Sequence, residues 1–343
     1  MNKLRPSQMT ILLSLSTAFS VMCAAFPFTL EQLLGVAISI GFQILLCIPV
    51  LLLARRNDSL AAHCTGHKVL PLVFFLYLLV SGGRSVVQLW NVSDSLSLPF
   101  SNAMLAAALI AAVCLYTSAL GIQTLARSST LVFGVLILTL LVMLFGGYRT
   151  IHLQQLSFSP DATIWQGIIR HLSLADELPV LVLLLSFLDK QPIKSTLRFF
   201  GLSLLIWSFV LFLGITILGN FMPHADYPFF MITNVSQPFR TQRADALYLV
   251  LFVLLCILRL TLLTTLSAHL LGQAFPKLRC RSLICLFAIL ILAAVLGIWN
   301  MASGWWYILP IALLTTIIPW GLLCYNQKKQ QGNGTGKREA TPS

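Results

Sequence analysis

Residues 176–188 read DELPVLVLLLSFL, so two adjacent carboxylates stand directly before an apolar run. As a helix, the uninterrupted run Leu178–Leu188 would extend only about 16 Å. A bilayer core is about 30 Å thick and requires about 20 apolar residues. The run therefore crosses a membrane only if it recruits Trp165–Leu174. Asp176 and Glu177 would then lie near the middle of the bilayer.

The composition around this segment is that of a membrane protein. Only 9% of the 343 residues are charged and 58% are hydrophobic, and the mean hydropathy is +0.89. A soluble domain carries about 25% charged residues, so the composition excludes a cytosolic enzyme, a secreted disulfide module and a disordered chain. The eight cysteines form no CxxC pair. We expect them to be packing residues rather than zinc ligands or disulfides.

A search for apolar runs of about 20 residues between polar breaks gives ten candidate spans. In chain order they are Met9–Phe28, Leu34–Ala54, Val69–Trp90, Ala103–Leu120, Thr130–Gly147, Trp165–Leu188, Phe199–Phe221, Ala246–Leu271, Ser282–Trp299 and Trp305–Tyr325. No repeat or soluble domain is visible, so we assign residues 1–326 to one all-α membrane domain.

The basic residues indicate how the spans are oriented. If the N-terminus is cytoplasmic and all ten helices cross, 16 of the 22 Lys and Arg residues fall on the cytoplasmic side. Only Arg149, Arg170, Arg240 and Arg243 fall on the outer side. This count requires that the first span is retained rather than cleaved as a signal peptide. The net charge of +12 is thus expected to reflect the positive-inside rule, with both termini cytoplasmic and no nucleic-acid partner.

Two spans are weak at corresponding positions. The first is short and carries Pro27 near its outer end, and the sixth contains the segment at residues 176–188. Ten helices divide into five plus five, and because five is odd the two halves enter the membrane from opposite sides. Spans one and six then correspond in an inverted repeat. Paired interrupted helices of this kind indicate a binding site at mid-membrane, although the two halves share no visible sequence identity.

Two further segments lie outside the spans. Residues 223–243 form an outer connection that is rich in aromatic residues and broken by Pro223, Pro228 and Pro238. We interpret this connection as a short re-entrant or surface-lying lid over the outer mouth. Residues 327–343 are rich in Lys, Gln, Gly and Thr, which predicts a disordered basic cytoplasmic tail.

Four short motifs resemble those of a known family. They are a G-x-Q-x-x-x-R turn at Gly121, Gln123 and Arg127, the dipeptide Tyr227-Pro228, the sequence QRADAL at residues 242–247, and Ser7-Gln8 before the first span. Together these motifs resemble those of the spore-germination permeases, which are the B subunits of germinant receptors. Those proteins are ten-helix members of the amino acid–polyamine–organocation (APC) superfamily.

The resemblance implies a LeuT-like 5+5 inverted-repeat transporter fold that binds a small germinant, such as an amino acid, at mid-membrane. It also implies two partner subunits in the spore inner membrane, an A-type subunit with a large soluble domain and a C-type lipoprotein. This chain departs from the family at Gln123 and Gln242, where the family has glutamates. It also lacks glycine throughout Met1–Leu34, so we expect hydroxyl groups of the first span to supply donors in place of an unwound glycine backbone.

Three ionisable residues are expected to lie deep in the membrane. Asp176 and Glu177 either line the cavity at the break in the sixth span, where they bind a substrate ammonium or carry a proton, or cap a helix that faces outer water. Arg259 lies midway along its span. One interpretation is a fixed cation with a functional role, which either replaces a bound sodium ion or pairs with one of these carboxylates. The other is that Arg259 forms a purely structural ion pair. Arg84 is expected to snorkel to the outer headgroups.

These expectations define one candidate site and two functions. The substrate-binding residues are predicted to be Ser16, Thr17, Ser20, Asp176, Glu177 and Arg259. The leading hypothesis is a germinant receptor B-subunit-like permease, and the alternative is a proton-coupled amino-acid or amine transporter of the vegetative cell membrane. An enzyme is disfavoured because the sequence shows no nucleophile–base pair, phosphate loop or metal-ligand spacing. No cofactor is expected.

Overall fold

The computed structural model describes residues 4–55, 69–96, 103–156, 163–188, 191–219, 226–235, 245–299 and 304–324. Within these ranges the chain is helical, and its only β-type pairing is the isolated bridge between Leu4 and Leu188. The helices are α1 (Pro6–Met22), α2 (Leu30–Leu46), α3 (Ile48–Arg55), α4 (Val69–Ser95), α5 (Ala103–Leu120), α6 (Ile122–Gly147), α7 (Ile164–Ser173), α8 (Glu177–Leu185), α9 (Pro192–Leu218), α10 (Pro228–Val235), α11 (Asp245–Ala274), α12 (Arg281–Ile298) and α13 (Trp305–Cys324).

Seven of the described segments are long and apolar enough to cross a membrane. They are Leu30–Arg55, Val69–Ser95, Ile122–Thr150, Pro192–Leu218, Ala246–Ala274, Arg281–Ile298 and Trp305–Cys324. Large apolar side chains on their outer faces are exposed, among them Phe287 at 58%, Ile291 at 63% and Ile298 at 80% on α12. Helices satisfy their own backbone groups and can present such faces to lipid. The prediction of an all-α membrane protein is therefore confirmed at this level.

The first predicted span, Met9–Phe28, is wrong at its C-terminal end because α1 stops at Met22. Residues 23–29 are not helical. Pro27 lacks an amide hydrogen and disfavours helix at the residue before it. Thr29 then caps α2 by accepting a hydrogen bond from the amide of Gln32, which starts the second helix before the predicted Leu34.

The turn between α5 and α6 depends on one glycine. Gly121 has φ = +86°, a conformation that side chains with a Cβ atom rarely adopt. It caps the N-terminus of α6, which begins at Ile122 rather than at the predicted Thr130. The G-x-Q-x-x-x-R motif thus spans a helix–helix turn and the first turns of α6.

The long helices pack in a regular pattern around α1, α4 and α11. Helix α1 contacts α6, α9 and α11, and α4 packs along both α11 and α12. Helix α11 also packs on α5 and α6, while α2 packs on α7 and α9. The polar residues of α1, α4 and α11 consequently face the interior of the bundle.

The connection at residues 223–243 is only partly described. Within residues 226–235 it forms the eight-residue helix α10, which is too short to cross a bilayer. Phe229, Phe230 and Ile232 are buried where α10 packs on α6, α9 and α11. The lid role of residues 223–243 stays a prediction, since 223–225 and 236–243 lie outside the described residues, as does the predicted tail at 327–343.

Helices α2 and α7 meet at a glycine–glycine contact. A Cβ atom placed on Gly35 would lie 2.8 Å from backbone atoms of Gly167 and 2.9 Å from the carbonyl oxygen of Ile164. Real Cβ atoms do not approach backbone so closely, and a backbone neighbour cannot rotate away as a flexible side chain can. Small residues permit such close contacts between membrane helices. The position of α7 is therefore fixed against α2.

We predict that Gly35→Ala destabilises the protein by roughly 1–3 kcal/mol because the added methyl group forces α2 away from α7. Gly41→Ala on the same helix is the control, because a Cβ atom there meets nothing within 4 Å. We expect it to be neutral or slightly stabilising through higher helix propensity. Unfolding of both variants in mild detergent measures the effect. Equal stability of the two would contradict the close contact.

Candidate functional site

The sixth predicted span is a helix interrupted in its middle. Helix α7 ends at Ser173 and α8 begins at Glu177. Across the break, the amides of Leu174, Ala175 and Leu178 each donate to the carbonyl three residues earlier, at 3.1–3.2 Å. Such tight turns replace the usual four-residue helical bonds and leave backbone groups free for other partners.

The two carboxylates stand at the start of α8. Asp176 is 3% exposed and Glu177 is 5% exposed. Their negative charges lie at the positive end of the α8 dipole, which stabilises them. Pro179 falls in the first turn of α8, where a missing amide hydrogen costs no helical bond. The DELP sequence thus explains both the break and the placement of the charges.

Arg259 binds both carboxylates from α11. Its Nη1 lies 2.8 Å from Oε1 of Glu177, and its Nη2 lies 3.0 Å from Oδ2 of Asp176. It also donates to Oγ of Ser85 at 2.9 Å, to Oγ of Ser20 at 2.6 Å and to the Ser16 carbonyl oxygen at 3.1 Å. All three guanidinium nitrogens therefore have acceptors. Pairing with a carboxylate, one of the alternatives left open for Arg259, is therefore observed.

Arg84 corrects a sequence-based prediction. It does not snorkel to the headgroups but is 1% exposed. Its Nη1 donates to the carbonyl of Ser173 at 2.7 Å and to Oδ1 of Asp176 at 3.1 Å, and its guanidinium carbon lies 4.2 Å from the centre of the Tyr307 ring. The physical reason is the helix break, which supplies a free carbonyl and a carboxylate within reach. Such partners satisfy a buried cation.

The two arginines are not equally satisfied. The Nε atom of Arg84 is buried and has no hydrogen-bond partner among the described residues. Arg259, by contrast, uses every nitrogen. One donor of Arg84 therefore remains without a partner among the described residues.

Hydroxyl groups complete the cluster. Oε1 of Glu177 accepts from Ser16 at 3.3 Å and from Ser20 at 3.0 Å. Oδ1 of Asp176 accepts from the Tyr77 hydroxyl at 3.3 Å. Two arginines and two carboxylates give the charge cluster (Arg84, Asp176, Glu177 and Arg259) a formal net charge of zero. This balance is what allows four charged side chains to lie in the bundle interior, where an unpaired charge is costly.

The structure brings together five of the six predicted site residues. Arg259 bonds to each of the other four, which are Ser16, Ser20, Asp176 and Glu177. Thr17 is not part of the group, because its hydroxyl donates to the Leu13 carbonyl of its own helix at 3.2 Å. Their role in substrate binding stays a prediction.

Helix α4 contributes residues that the sequence reasoning missed. Tyr77, Ser81, Arg84 and Ser85 all belong to the cluster or contact it. Their spacing of four, three and one residues places them on one face of a helix. This polar face within an otherwise apolar span was the available signal.

A second buried polar group holds α7 in place. Nδ1 of His171 lies 2.8 Å from Oγ of Ser39 and 3.1 Å from Nε2 of Gln43, both on α2. The edge of its ring packs on Trp207 of α9, with ring centres 5.0 Å apart. Together with the contact between Gly35 and Gly167, these bonds anchor α7, the first half of the interrupted helix.

Comparison with models of known protein families finds no match. A search of curated proteins also finds none. In the part of the chain that the structure describes, no group of three or more His, Cys, Asp or Glu residues is placed to hold a metal ion. The functional interpretation therefore depends on the residues of this chain.

We predict that Arg84 and Asp176 are energetically coupled. Arg84→Met leaves a net negative charge in the cluster and Asp176→Asn leaves a net positive one, so each is expected to cost roughly 3–5 kcal/mol. The double variant restores neutrality and should cost at least about 1 kcal/mol less than the sum of the two single changes. Denaturant titration of the purified protein measures these free energies.

Arg170→Met combined with Asp176→Asn is the control for this cycle. Arg170 is a nearby cation that stacks over Phe26, at 5.8 Å from the ring centre, and forms no ion pair with Asp176 among the described contacts. Its effect should be additive with Asp176→Asn. Additivity of the Arg84 pair would instead contradict the charge-balance argument.

Proposed function

We propose that the protein is a permease-type membrane protein that binds a small zwitterionic solute at the break between α7 and α8. The observation that carries this proposal is the pairing of Asp176 and Glu177 with Arg84 and Arg259 inside the bundle. Ionisable residues within membrane helices are rare and mark substrate or ion pathways. Interrupted helices at mid-membrane are the usual place for a transporter binding site.

Helix packing supports a 5+5 inverted repeat. Taking α2 and α3 as one span, α7 and α8 as another, and α10 as a lid gives ten spans. Span one (α1) packs on span seven (α9), and span six (α7) packs on span two (α2). Span three (α4) packs on span nine (α12), and span eight (α11) packs on span four (α5). Each of these pairs maps onto its partner when the numbering shifts by five, as an inverted repeat requires. The contact of span eight (α11) with span five (α6) has no counterpart of comparable extent between spans three and ten among the described residues.

The two arginines fit the same symmetry. Arg84 is the sixteenth residue of α4, counted from Val69. Arg259 is the fifteenth residue of α11, counted from Asp245. They therefore lie at nearly equivalent depths in spans three and eight, which would enter the membrane from opposite sides. Both reach Asp176 from these positions.

The charge cluster favours a zwitterion as the ligand. A solute with one ammonium and one carboxylate can form ion pairs with members of the cluster and leave the net charge of the site at zero. A singly charged ligand would leave the site with a net charge. We assign the ligand carboxylate to Arg84, whose Nε is unused, and the ligand ammonium to Asp176. Arg259 and Glu177, which bond each other at 2.8 Å, stay paired.

The biological role follows from the resemblance to spore-germination permeases. In this proposal the protein is the B-type subunit of a germinant receptor in the spore inner membrane, with both termini cytoplasmic. Ligand binding shifts the interrupted helix between two arrangements, because the ligand binds one more tightly than the other. Partner subunits of the A and C types respond to the shift. The competing candidate is a proton-coupled amino-acid or amine transporter.

Ligand binding is tested with the purified protein in nanodiscs against a panel of amino acids, sugars and nucleosides. A ligand at 100 times its Kd stabilises the native state by about 2.7 kcal/mol, which thermal unfolding detects. We expect an amino acid to bind and Ser20→Ala to weaken binding about tenfold, because Ser20 positions Arg259, whose Nη2 in turn holds Asp176, the residue assigned to the ligand ammonium. Thr17→Val is the control on the same helix and should bind normally.

The same variants separate the two roles. In a spore-forming host that lacks the gene, the wild-type chain should restore germination to the amino acid that binds, and Glu177→Gln should not, although it accumulates in the membrane. Proton-driven uptake into proteoliposomes without any germination phenotype would instead favour the transporter. Binding of no panel member, or equal loss in Ser20→Ala and Thr17→Val, would overturn the site assignment.

A further inference from the structure

A cavity of about 620 Å³ opens at the end of the bundle opposite α10. It lies between α5, α6, α11 and α12, with the residues that follow α8 at its inner wall. Its floor is apolar and formed by Ile122, Phe187 and Leu266, which are buried. The Leu4 amide donates to the Phe187 carbonyl at 3.0 Å, so the start of α1 lies at this end. The sequence predicts that this end is cytoplasmic.

The rim of the cavity differs from its floor because it is exposed and basic. Leu278, Cys280 and Arg281 line the opening, and the exposed residues Lys277 and Arg279 flank it. No carboxylate is among the described residues that line the cavity, and residues 275–283 contain none. The rim therefore carries three positive charges within five residues and no compensating negative charge of its own.

Arg281 is held in place at this rim. Its Nε donates to the Leu278 carbonyl at 3.0 Å and its Nη2 donates to the Pro276 carbonyl at 2.7 Å. Nη1 has no acceptor among the described residues and points along Gly272, whose missing side chain leaves room for it. The guanidinium is thus anchored at the rim by two nitrogens, with the third packed against Gly272.

The floor offers little to a polar solute. Among the described residues of the wall, the ionisable side chains are His269, Arg281 and the thiol of Cys280. Its Nε2 lies 3.2 Å from Nε2 of Gln273, and its ring packs edge-on against Phe187 at 5.3 Å between ring centres. The cavity combines an apolar interior with a cationic mouth. A phospholipid has the complementary arrangement, with apolar chains and a phosphate headgroup.

We propose that this cavity binds an anionic phospholipid, with an acyl chain on the floor and the headgroup on Arg281, Lys277 and Arg279. Basic pockets between membrane helices at the cytoplasmic surface bind anionic headgroups in this way, and each basic residue near the surface strengthens the attraction. The inference depends on the membrane class of the protein and not on its proposed ligand. It assigns a second binding site, remote from the charge cluster.

Native mass spectrometry of the full chain in mild detergent tests the site with palmitoyl-oleoyl phosphatidylglycerol and the matching phosphatidylcholine. We expect the wild type to retain phosphatidylglycerol preferentially. Lys277→Ala combined with Arg279→Ala should lower its affinity roughly tenfold or more, while the anchoring bonds of Arg281 remain. Ala119→Trp, which places an indole at the exposed rim, should also reduce retention.

Arg127→Ala combined with Arg198→Ala is the matched control. Both arginines are exposed near the starts of α6 and α9, at the same end of the bundle, and neither lines the cavity. This double variant should change the affinity less than about twofold, since neither arginine lines the cavity or belongs to its basic rim at residues 277–281. An equal loss in both double variants, equal retention of the two lipids, or no effect of Ala119→Trp would overturn the proposal.

Discussion

Charge neutrality inside the helix bundle is the constraint on which the rest of the structure depends. Asp176, Glu177, Arg84 and Arg259 lie where water cannot screen them, and each would be costly alone. As a group they carry no formal net charge, and each ion pair measures 2.8–3.1 Å. Helices α4 and α11 must therefore stay in register with the break between α7 and α8, while α1 supplies the hydroxyls of Ser16 and Ser20.

The interrupted helix and the buried cations depend on each other. In an uninterrupted helix the Ser173 carbonyl would accept a bond from the amide four residues later. Here it accepts from Arg84 instead, and the start of α8 carries the carboxylates that the arginines bind. Without the break, Arg84 would lose the Ser173 carbonyl as an acceptor. Without the arginines, that carbonyl and the carboxylate of Asp176 would lose their donors. The contacts of α2 with Gly167 and His171 fix α7 on one side of this junction, so any change of state is expected to occur at residues 174–176.

Much of the site could be predicted because its signals are local. Two adjacent carboxylates before an apolar run too short to span, and an arginine midway along another span, are visible in the sequence. Ser16 and Ser20 are four residues apart and share a helical face, whereas Thr17 lies about 100° around the helix and bonds to its own backbone. Arg84 was wrongly predicted because snorkelling is a local rule, and its actual partners belong to a segment 89 residues away in sequence.

The sequence by itself determined the membrane class, most of the helices and the presence of charges in the bundle interior, since apolar length and charge spacing act within single segments. Only the tertiary structure decided which charges pair, that α1 ends before Pro27, and that α2 touches α7 through Gly35. It also decided that a cavity with a basic rim lies between α5, α6, α11 and α12. These features depend on how close separate helices approach, and that distance is set by packing that no single segment encodes.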